Sequence, residues 1–227
     1  MLLYAICLLG TVAVYWSVKR LYRIYPSLLL TPLLLAPILI VAALLGSGIS
    51  YDTYKTGTAW ISGMIGPATV ALAVPLYKHL HVLKKHARVI GISVLTGALL
   101  SVVTSVWLAQ TLQLSEQLVD SLAPRSATTP VALAVSGMNG GLPAVTALLV
   151  LLTGLLGMVL GPLLIRLLRI RGDIARGVML GTSAHTAGTA KAFEYGEAAG
   201  AISSIAMILT AFVILCAAPW LLHGLGG

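Results

Sequence analysis

From Ser126 to Ile165 the chain runs 40 residues without a charged side chain. A water-soluble fold has no means of covering such a stretch, whereas a bilayer accepts it, since ~20 apolar residues span the hydrocarbon core. Comparable uncharged runs occupy 1–18, 24–51, 56–77, 89–115, 177–190 and 198–227, separated by short charged clusters. Only 9% of the 227 residues are charged and 59% are hydrophobic, against ~25% charged in an ordinary soluble domain. This excludes a cytosolic enzyme, a secreted disulfide module and a disordered protein. The length leaves room for about seven to nine crossings.

The net charge of +8 points to topology rather than to nucleic acid, because the basic residues sit between apolar runs and form no aromatic-interleaved face. Cys7 and Cys216 lie inside apolar runs and read as small buried hydrophobes, and no metal spacing exists. Residues 1–18 lack a basic stretch before their apolar run and carry Lys19, Arg20 and Arg23 after it, so they read as a first membrane helix with its N-terminus outside. Basic loops at 19–26, 78–88 and 166–176 are then cytoplasmic, and the loops at 47–56, 113–125 and 194–198 are external. The predicted helices are 1–18, 28–46, 57–77, 89–111, 142–165, 175–192 and 200–222. Segment 126–141 begins and ends on the outer side and is predicted to dip in and return, which is allowed where protein covers the backbone. A full crossing there would place Arg166, Arg169, Arg171 and Arg176 outside.

The expectation is an all-α, polytopic membrane protein with about seven transmembrane helices and one re-entrant half-helix. Thr31-Pro32 and Leu142-Pro143 each open an apolar helix, and Gly66-Pro67 and Gly181 each break the next one. Opposite orientations with the same order describe an inverted repeat with broken helices, a common transporter build, with chance resemblance among Gly- and Ala-rich helices as the competing reading. The chain then divides into an N-terminal helix (1–27), a first repeat (28–112), the re-entrant segment (113–141) and a second repeat (142–222), all in a single domain.

Three places carry the chemistry. Pro67 removes a backbone donor and frees a carbonyl, so Gly66-Pro67 marks either an unwound point or a packing kink. Thr128 or Thr129 caps a helix with Pro130 in its first turn, and such an N-terminus offers N–H groups and partial positive charge to an anion. Gly140 and Gly141 unwind its far end. The richest stretch is Gly181-Thr182-Ser183-Ala184-His185-Thr186-Ala187-Gly188-Thr189. As a continuous helix it puts Gly181, His185, Gly188 and Thr189 on one face. An ionisable side chain within a span is a candidate for function, or here for tying two helices together. Lys191 and Glu194 are spaced to pair at the outer end of this helix, either as an interfacial pair or in coupling and gating. Ser183 and His185 point ~200° apart on a helix, no G-x-S-x-G or phosphate loop is present, and no enzyme is expected.

These stretches together resemble the LrgB/CidB family of bacterial membrane proteins. The resemblance rests on Gly66 to Lys78, Ser126 to Ala132, Gly181 to Ala190, Gly196-Glu197 and Gly200 to Ser204. One departure is Asn139 ahead of Gly140-Gly141, where the family more usually has Ile. It covers about residues 25–222. It implies residence in a bacterial inner (plasma) membrane and two functional readings. One is an antiholin-like role in murein hydrolase export and autolysis with a small LrgA/CidA-type membrane protein. The other is a carrier of small 2-hydroxy or 2-oxo monocarboxylates such as glycolate, glycerate and pyruvate, working by alternating access. For the carrier, the expected substrate residues are Thr69, Thr128, Thr129, Ser183, His185, Thr186, Gly188 and Thr189, with the carboxylate at Thr128 and Thr129 and the hydroxyl or oxo group at His185. The expected partners are the substrate, the lipid bilayer and a second copy in a homodimer. No cofactor, metal or nucleic acid is expected.

Overall fold

A computed structural model describes residues 2–25, 30–64, 67, 70–71, 73–78 and 80–225. Every regular element among them is an α-helix. The chain forms two compact units, Met1–Ala71 and Leu72–Gly227. Four helices are long and apolar enough to cross a membrane: Leu2–Ile24, Lys84–Thr111, Pro143–Leu167 and Glu197–Leu222. The protein is an all-α, multi-pass membrane protein.

In the first unit α1 (Leu2–Ile24) packs against α2 (Pro32–Ser47) and α3 (Tyr51–Gly57), followed by α4 (Ala59–Gly63). Gly57 lies so close to α1 that a Cβ there would come within 3.0 Å of the Tyr4 Cα. The Tyr54 and Thr11 hydroxyls share a hydrogen bond of 3.1 Å beside it. The run at 57–77, expected as one broken crossing, divides among short helices, with Thr58 between α3 and α4. Gly66 and Thr69 lie outside the described residues, and Pro67 is exposed.

The second unit contains α5 (Ala73–Lys78), α6 (Leu80–Thr111), α7 (Glu116–Leu122), α8 (Thr129–Met138), α9 (Pro143–Leu167), α10 (Asp173–Phe193) and α11 (Glu197–Leu225). Its core is built of small side chains: Ala98, Val102, Val106, Ala127, Ala132, Val135, Val150, Ala211 and Ile214 form one buried cluster. Without a hydrophobic drive inside lipid, close contact between small residues is what holds membrane helices together. α6 and α11 run side by side in the same direction, Ile90 and Val94 sharing one buried cluster with Ile202 and Ala206 and, further along both helices, Ala98 to Ala109 sharing another with Ala211 to Leu222. This places Lys84, Lys85 and Arg88 at one end of the unit and Glu116 at the other.

The segment between α6 and α9 leaves the acidic end and comes back to it. The Leu142 N–H donates to Ser121 Oγ at 2.7 Å, closing the excursion at its mouth. Its tip is fixed deeper: Arg125 Nε donates to Ser105 Oγ (3.1 Å) and the Ser126 and Ser101 hydroxyls pair at 2.8 Å. Ser105 and Ser101 lie roughly 9 and 15 Å down the axis of α6 from its Thr111 end. The ten residues of α8 then climb about 15 Å back. This is the re-entrant half-helix expected for 126–141.

α10 differs from expectation. The Arg176 guanidinium, near its start, stands 5.2 Å from the centre of the Tyr195 ring beyond its end. A straight helix would separate these positions by about 28 Å. Gly181 and Thr189 both meet Ser203, and Leu180 and Ala192 share a cluster with Ile165. The helix therefore folds back on itself at Ala184 and His185, whose φ/ψ are −132/17° and 40/−127°. Residues 175–192 enter and return rather than cross, and 194–198 lie at the same basic end as 166–176, not outside. The physical reason is visible in composition: Asp173, Arg176 and Lys191 leave too little uninterrupted apolar length to span. The unit thus carries two helical hairpins entering from opposite ends.

With Cys7 and Cys216 replaced by Ser, single cysteines at Gly172 and Glu194 should react with a membrane-impermeant thiol reagent from the same side of the membrane. Labelling from opposite sides would restore the crossing helix.

Candidate functional site

The two hairpin tips occupy the middle layer of the second unit. The tip of α10 is admitted by a glycine stripe on α9. A Cβ at Gly154 would come within 3.0 Å of His185 Cε1, one at Gly157 would collide with the Ala184 Cβ, and one at Gly161 with Leu180. The other flank is as close: Gly177 faces the Ala199 carbonyl, and Gly181 lies on the Ser203 backbone. Gly181 therefore stays helical and serves contact with α11. The expected break at Gly181 is corrected to Ala184–His185.

His185 sits at the turn itself, 6% exposed. Its φ of 40° is a backbone conformation that non-glycine residues avoid, at a cost of order 1–3 kcal/mol. Its Nε2 lies 3.0 Å from the Val150 carbonyl oxygen. A carbonyl only accepts, so Nε2 carries the proton and Nδ1 presents a lone pair. Nδ1 is buried and has no hydrogen-bond partner, as are Thr182 Oγ1 and Thr210 Oγ1. A buried polar atom left unpaired costs ~1–3 kcal/mol.

The remaining residues of the stretch divide by the fold-back. Thr189 is buried and bonds Ser203 Oγ at 3.0 Å. Thr186 is exposed and points its hydroxyl at Met207 Sδ, 3.6 Å away. Ser183 is exposed and donates to the Met179 carbonyl at 2.6 Å. Gly188 lies against the Leu180 carbonyl, where a Cβ would collide. The shared face expected of Gly181, His185, Gly188 and Thr189 assumed a continuous helix, and the turn replaces it. Ser183 and His185 keep separate partners. Lys191 and Glu194 do pair, at 2.6 Å, but at the basic end beside Arg176 and Tyr195 rather than at the outer one.

The other tip is the start of α8, with Thr128 before it, half-buried, and Thr129 and Pro130 exposed in its first turn. The Thr128 side chain makes no capping bond, so its hydroxyl and the first amides are not used up on each other. At the far end Gly140 takes φ 90°, and Gly141 packs on Ser136 and Ser121 with no room for a side chain. Asn139 turns its amide back onto the Val135 carbonyl at 2.7 Å, and Ser136 receives the Thr146 hydroxyl at 2.7 Å. These anchor the hairpin mouth. No hydrogen bond among the described residues joins His185 to Thr128 or Thr129. What connects the tips is the core itself, since Val150, which holds His185, packs in the same cluster as Ala127 and Ala132, on either side of the α8 start.

The sequence reading missed the α9 stripe, although Gly154, Gly157 and Gly161 fall at helical spacing, and it missed Thr210, which carries no motif, and gave Thr182 no role although it lies within the Gly181–Thr189 stretch.

Residues 11–223 match the model of the LrgB-like family. The chain belongs to the LrgB-like family. It is 50% identical to the uncharacterized protein YwbG of Bacillus subtilis (strain 168) over 93% of this chain and 94% of that one. It is 41% identical to the uncharacterized protein YxaC of the same organism over 96% of each. It is 40% identical to the holin-like protein CidB of Staphylococcus aureus (strain Mu50 / ATCC 700699) over 91% of this chain and 90% of that one. No solved structure matches.

Gly157→Ala should lower the unfolding free energy by about 1–3 kcal/mol through overpacking against Ala184. Gly91→Ala, on α6 with open space around it, should instead gain ~0.5–1 kcal/mol in the helix. Thermal unfolding of both variants in detergent compares them.

Proposed function

We propose that this LrgB-like protein is a carrier of small 2-hydroxy or 2-oxo monocarboxylates, of the size of glycolate, glycerate and pyruvate, in a bacterial inner membrane. The observation that supports it is the pair of hairpin tips entering from opposite ends, with His185 Nδ1 unpaired at the turn of the second. A helix start offers amide N–H groups and partial positive charge to a carboxylate, and α8 begins at the hairpin tip, roughly 15 Å along α6 from its Thr111 end. Interrupted helices meeting at the midplane are the usual place for such a site in secondary transporters. In this reading Thr128, Thr129 and the first α8 amides take the carboxylate. His185 Nδ1 accepts from the 2-hydroxyl or carries a proton with the substrate. Thr189 holds the turn through Ser203, and Ser183 and Thr186 border the site. Thr69 and Gly66, expected at this site, lie outside the described residues, and Pro67 is exposed. No step of bond chemistry is assigned to the chain, which acts as a transporter rather than an enzyme. Lys191 with Glu194 would gate the basic-end mouth of the second hairpin.

A second reading has its own support in the name of the relative at 40% identity, a holin-like protein. Here the chain is an antiholin-like regulator of murein hydrolase export and autolysis, acting with a small LrgA/CidA-type membrane partner, and the tight glycine seams serve assembly. A homodimer is compatible with both readings.

Uptake of labelled glycolate, glycerate and pyruvate into liposomes holding the purified protein, with and without a proton gradient, separates the two. Saturable uptake blocked by excess unlabelled substrate is expected, and His185→Ala should reduce it to background with the protein still folded. If folded protein takes up nothing, alone or with the small partner, the regulatory reading stands instead. Normal uptake by the His185→Ala variant would remove His185 from the site.

A further inference from the structure

The first unit holds an open cavity that neither functional reading uses. Its volume is ~190 Å³, roughly that of six water molecules. Six of its seven lining residues are polar: Thr11 of α1, Tyr51, Tyr54 and Lys55 of α3, Thr58 at the junction, and Ser62 of α4. They bring five hydroxyls and one ammonium to a single place in a chain of which 59% is hydrophobic. The frame is fixed on both sides. Gly57 lies against the backbone of Tyr4, and the Ser50 side chain caps the start of α3 by accepting from the Thr53 N–H at 3.3 Å.

The hydrogen bonds decide what each lining residue has left to offer. Thr11 Oγ1 donates its only hydrogen to the Cys7 carbonyl at 2.8 Å. In its 3.1 Å contact with Tyr54, the tyrosine hydroxyl is therefore the donor. Thr58 Oγ1 donates to the Tyr54 carbonyl at 2.8 Å. The hydrogens of Thr11, Tyr54 and Thr58 are spent, and their oxygens present lone pairs alone. The other three are free. Among the described residues the Lys55 ammonium and the Tyr51 and Ser62 hydroxyls make no hydrogen bond or ion pair, and Asp52, three positions before Lys55, is not paired with it. The lining thus combines used-up hydroxyls that accept with free groups that donate, and it carries one positive charge.

We propose that this cavity binds a glycerophosphate group, a phosphate anion with free hydroxyls on the adjoining carbons. The phosphate oxygens accept from Lys55, Tyr51 and Ser62, a lysine serving phosphate as a point charge. The glycerol hydroxyls donate to Tyr54 and Thr58. An anion without hydroxyls leaves those two oxygens facing lone pairs, and a neutral polyol leaves Lys55 without a counter-charge. The group has two sources, the head of a glycerol-bearing anionic phospholipid and free glycerol 3-phosphate. The lipid is the expected one. Leu9 and Val12, on either side of Thr11 in α1, are exposed and offer apolar surface to acyl chains, and Tyr51 and Trp60 are exposed as aromatic side chains are at headgroup level. The long stem of Lys55 lets its ammonium reach the headgroups.

The test is native mass spectrometry of the purified full chain with equal amounts of phosphatidylglycerol, phosphatidylmethanol (an anionic diester without a hydroxyl) and phosphatidylcholine, beside equilibrium dialysis against labelled glycerol 3-phosphate. Phosphatidylglycerol should be retained over phosphatidylcholine by about fivefold, the effect of one lysine on an anionic lipid. It should exceed phosphatidylmethanol by about threefold, the effect of a hydrogen bond. Lys55→Gln, at an exposed position, should lose the preference for charge, while the basic clusters elsewhere act equally in both proteins and cancel. Thr58→Val, similar in shape, should keep the preference for charge and lose that for glycerol. Dialysis binding that Lys55→Gln abolishes, with no discrimination among the lipids, upholds the chemistry and assigns the free phosphate as its source. Equal retention of phosphatidylglycerol and phosphatidylmethanol with no dialysis binding overturns the proposal. So does a Lys55→Gln protein that matches the unaltered one in both measurements. Neither measurement involves uptake, so the carrier reading stands or falls separately.

Discussion

Backbone that stops being helical inside a bilayer must be enclosed by protein, because lipid offers no hydrogen bonds to the groups it frees. The second unit meets this demand with close packing. α9 presents Gly154, Gly157 and Gly161 to the turn of α10, and α10 presents Gly177 and Gly181 to α11. Side chains at these positions would hold the helices apart and expose the turn at Ala184 and His185. The buried cluster of alanines and valines extends the same logic to the first hairpin, whose tip is drawn against α6 by the Ser101–Ser126 and Ser105–Arg125 bonds. The burial of His185 at its turn follows from that enclosure.

Much of this was legible in the sequence. Uncharged runs between basic clusters identify membrane helices because charge is expensive in hydrocarbon, and α6, α9 and α11 follow those runs closely. The first re-entrant segment was readable because parity of the loops left 126–141 without a crossing to make. The second hairpin was not readable in the same way. Its 14 uncharged residues between Arg176 and Lys191 fit either a short crossing or a dip, and periodicity is identical for both. Gly181 drew the break to itself because glycine marks turns as well as close approaches, and here it makes a close approach. The true turn falls on Ala184 and His185, residues with no local preference for it. Only tertiary contacts hold it there, so no local rule could have found it.

At the candidate site the residue types were legible and their arrangement was not. The threonines, His185 and the α8 start were apparent from their chemistry in an apolar setting. Thr182 and Thr210 stood out only once burial and hydrogen bonding were known. Arg125 was visible as a charge, but its depth depends on Ser105, twenty positions away in the chain.

The conformation of His185 couples two things usually kept apart. Its ring is tethered at Nε2 to a neighbouring helix, and its own main chain is held at φ 40°. A group that donates to Nδ1 polarises the imidazole and strengthens the donation from Nε2. A donor at one nitrogen would therefore tighten the tether at the other. The turn of the second hairpin and its fastening to the neighbouring helix therefore meet in a single five-membered ring.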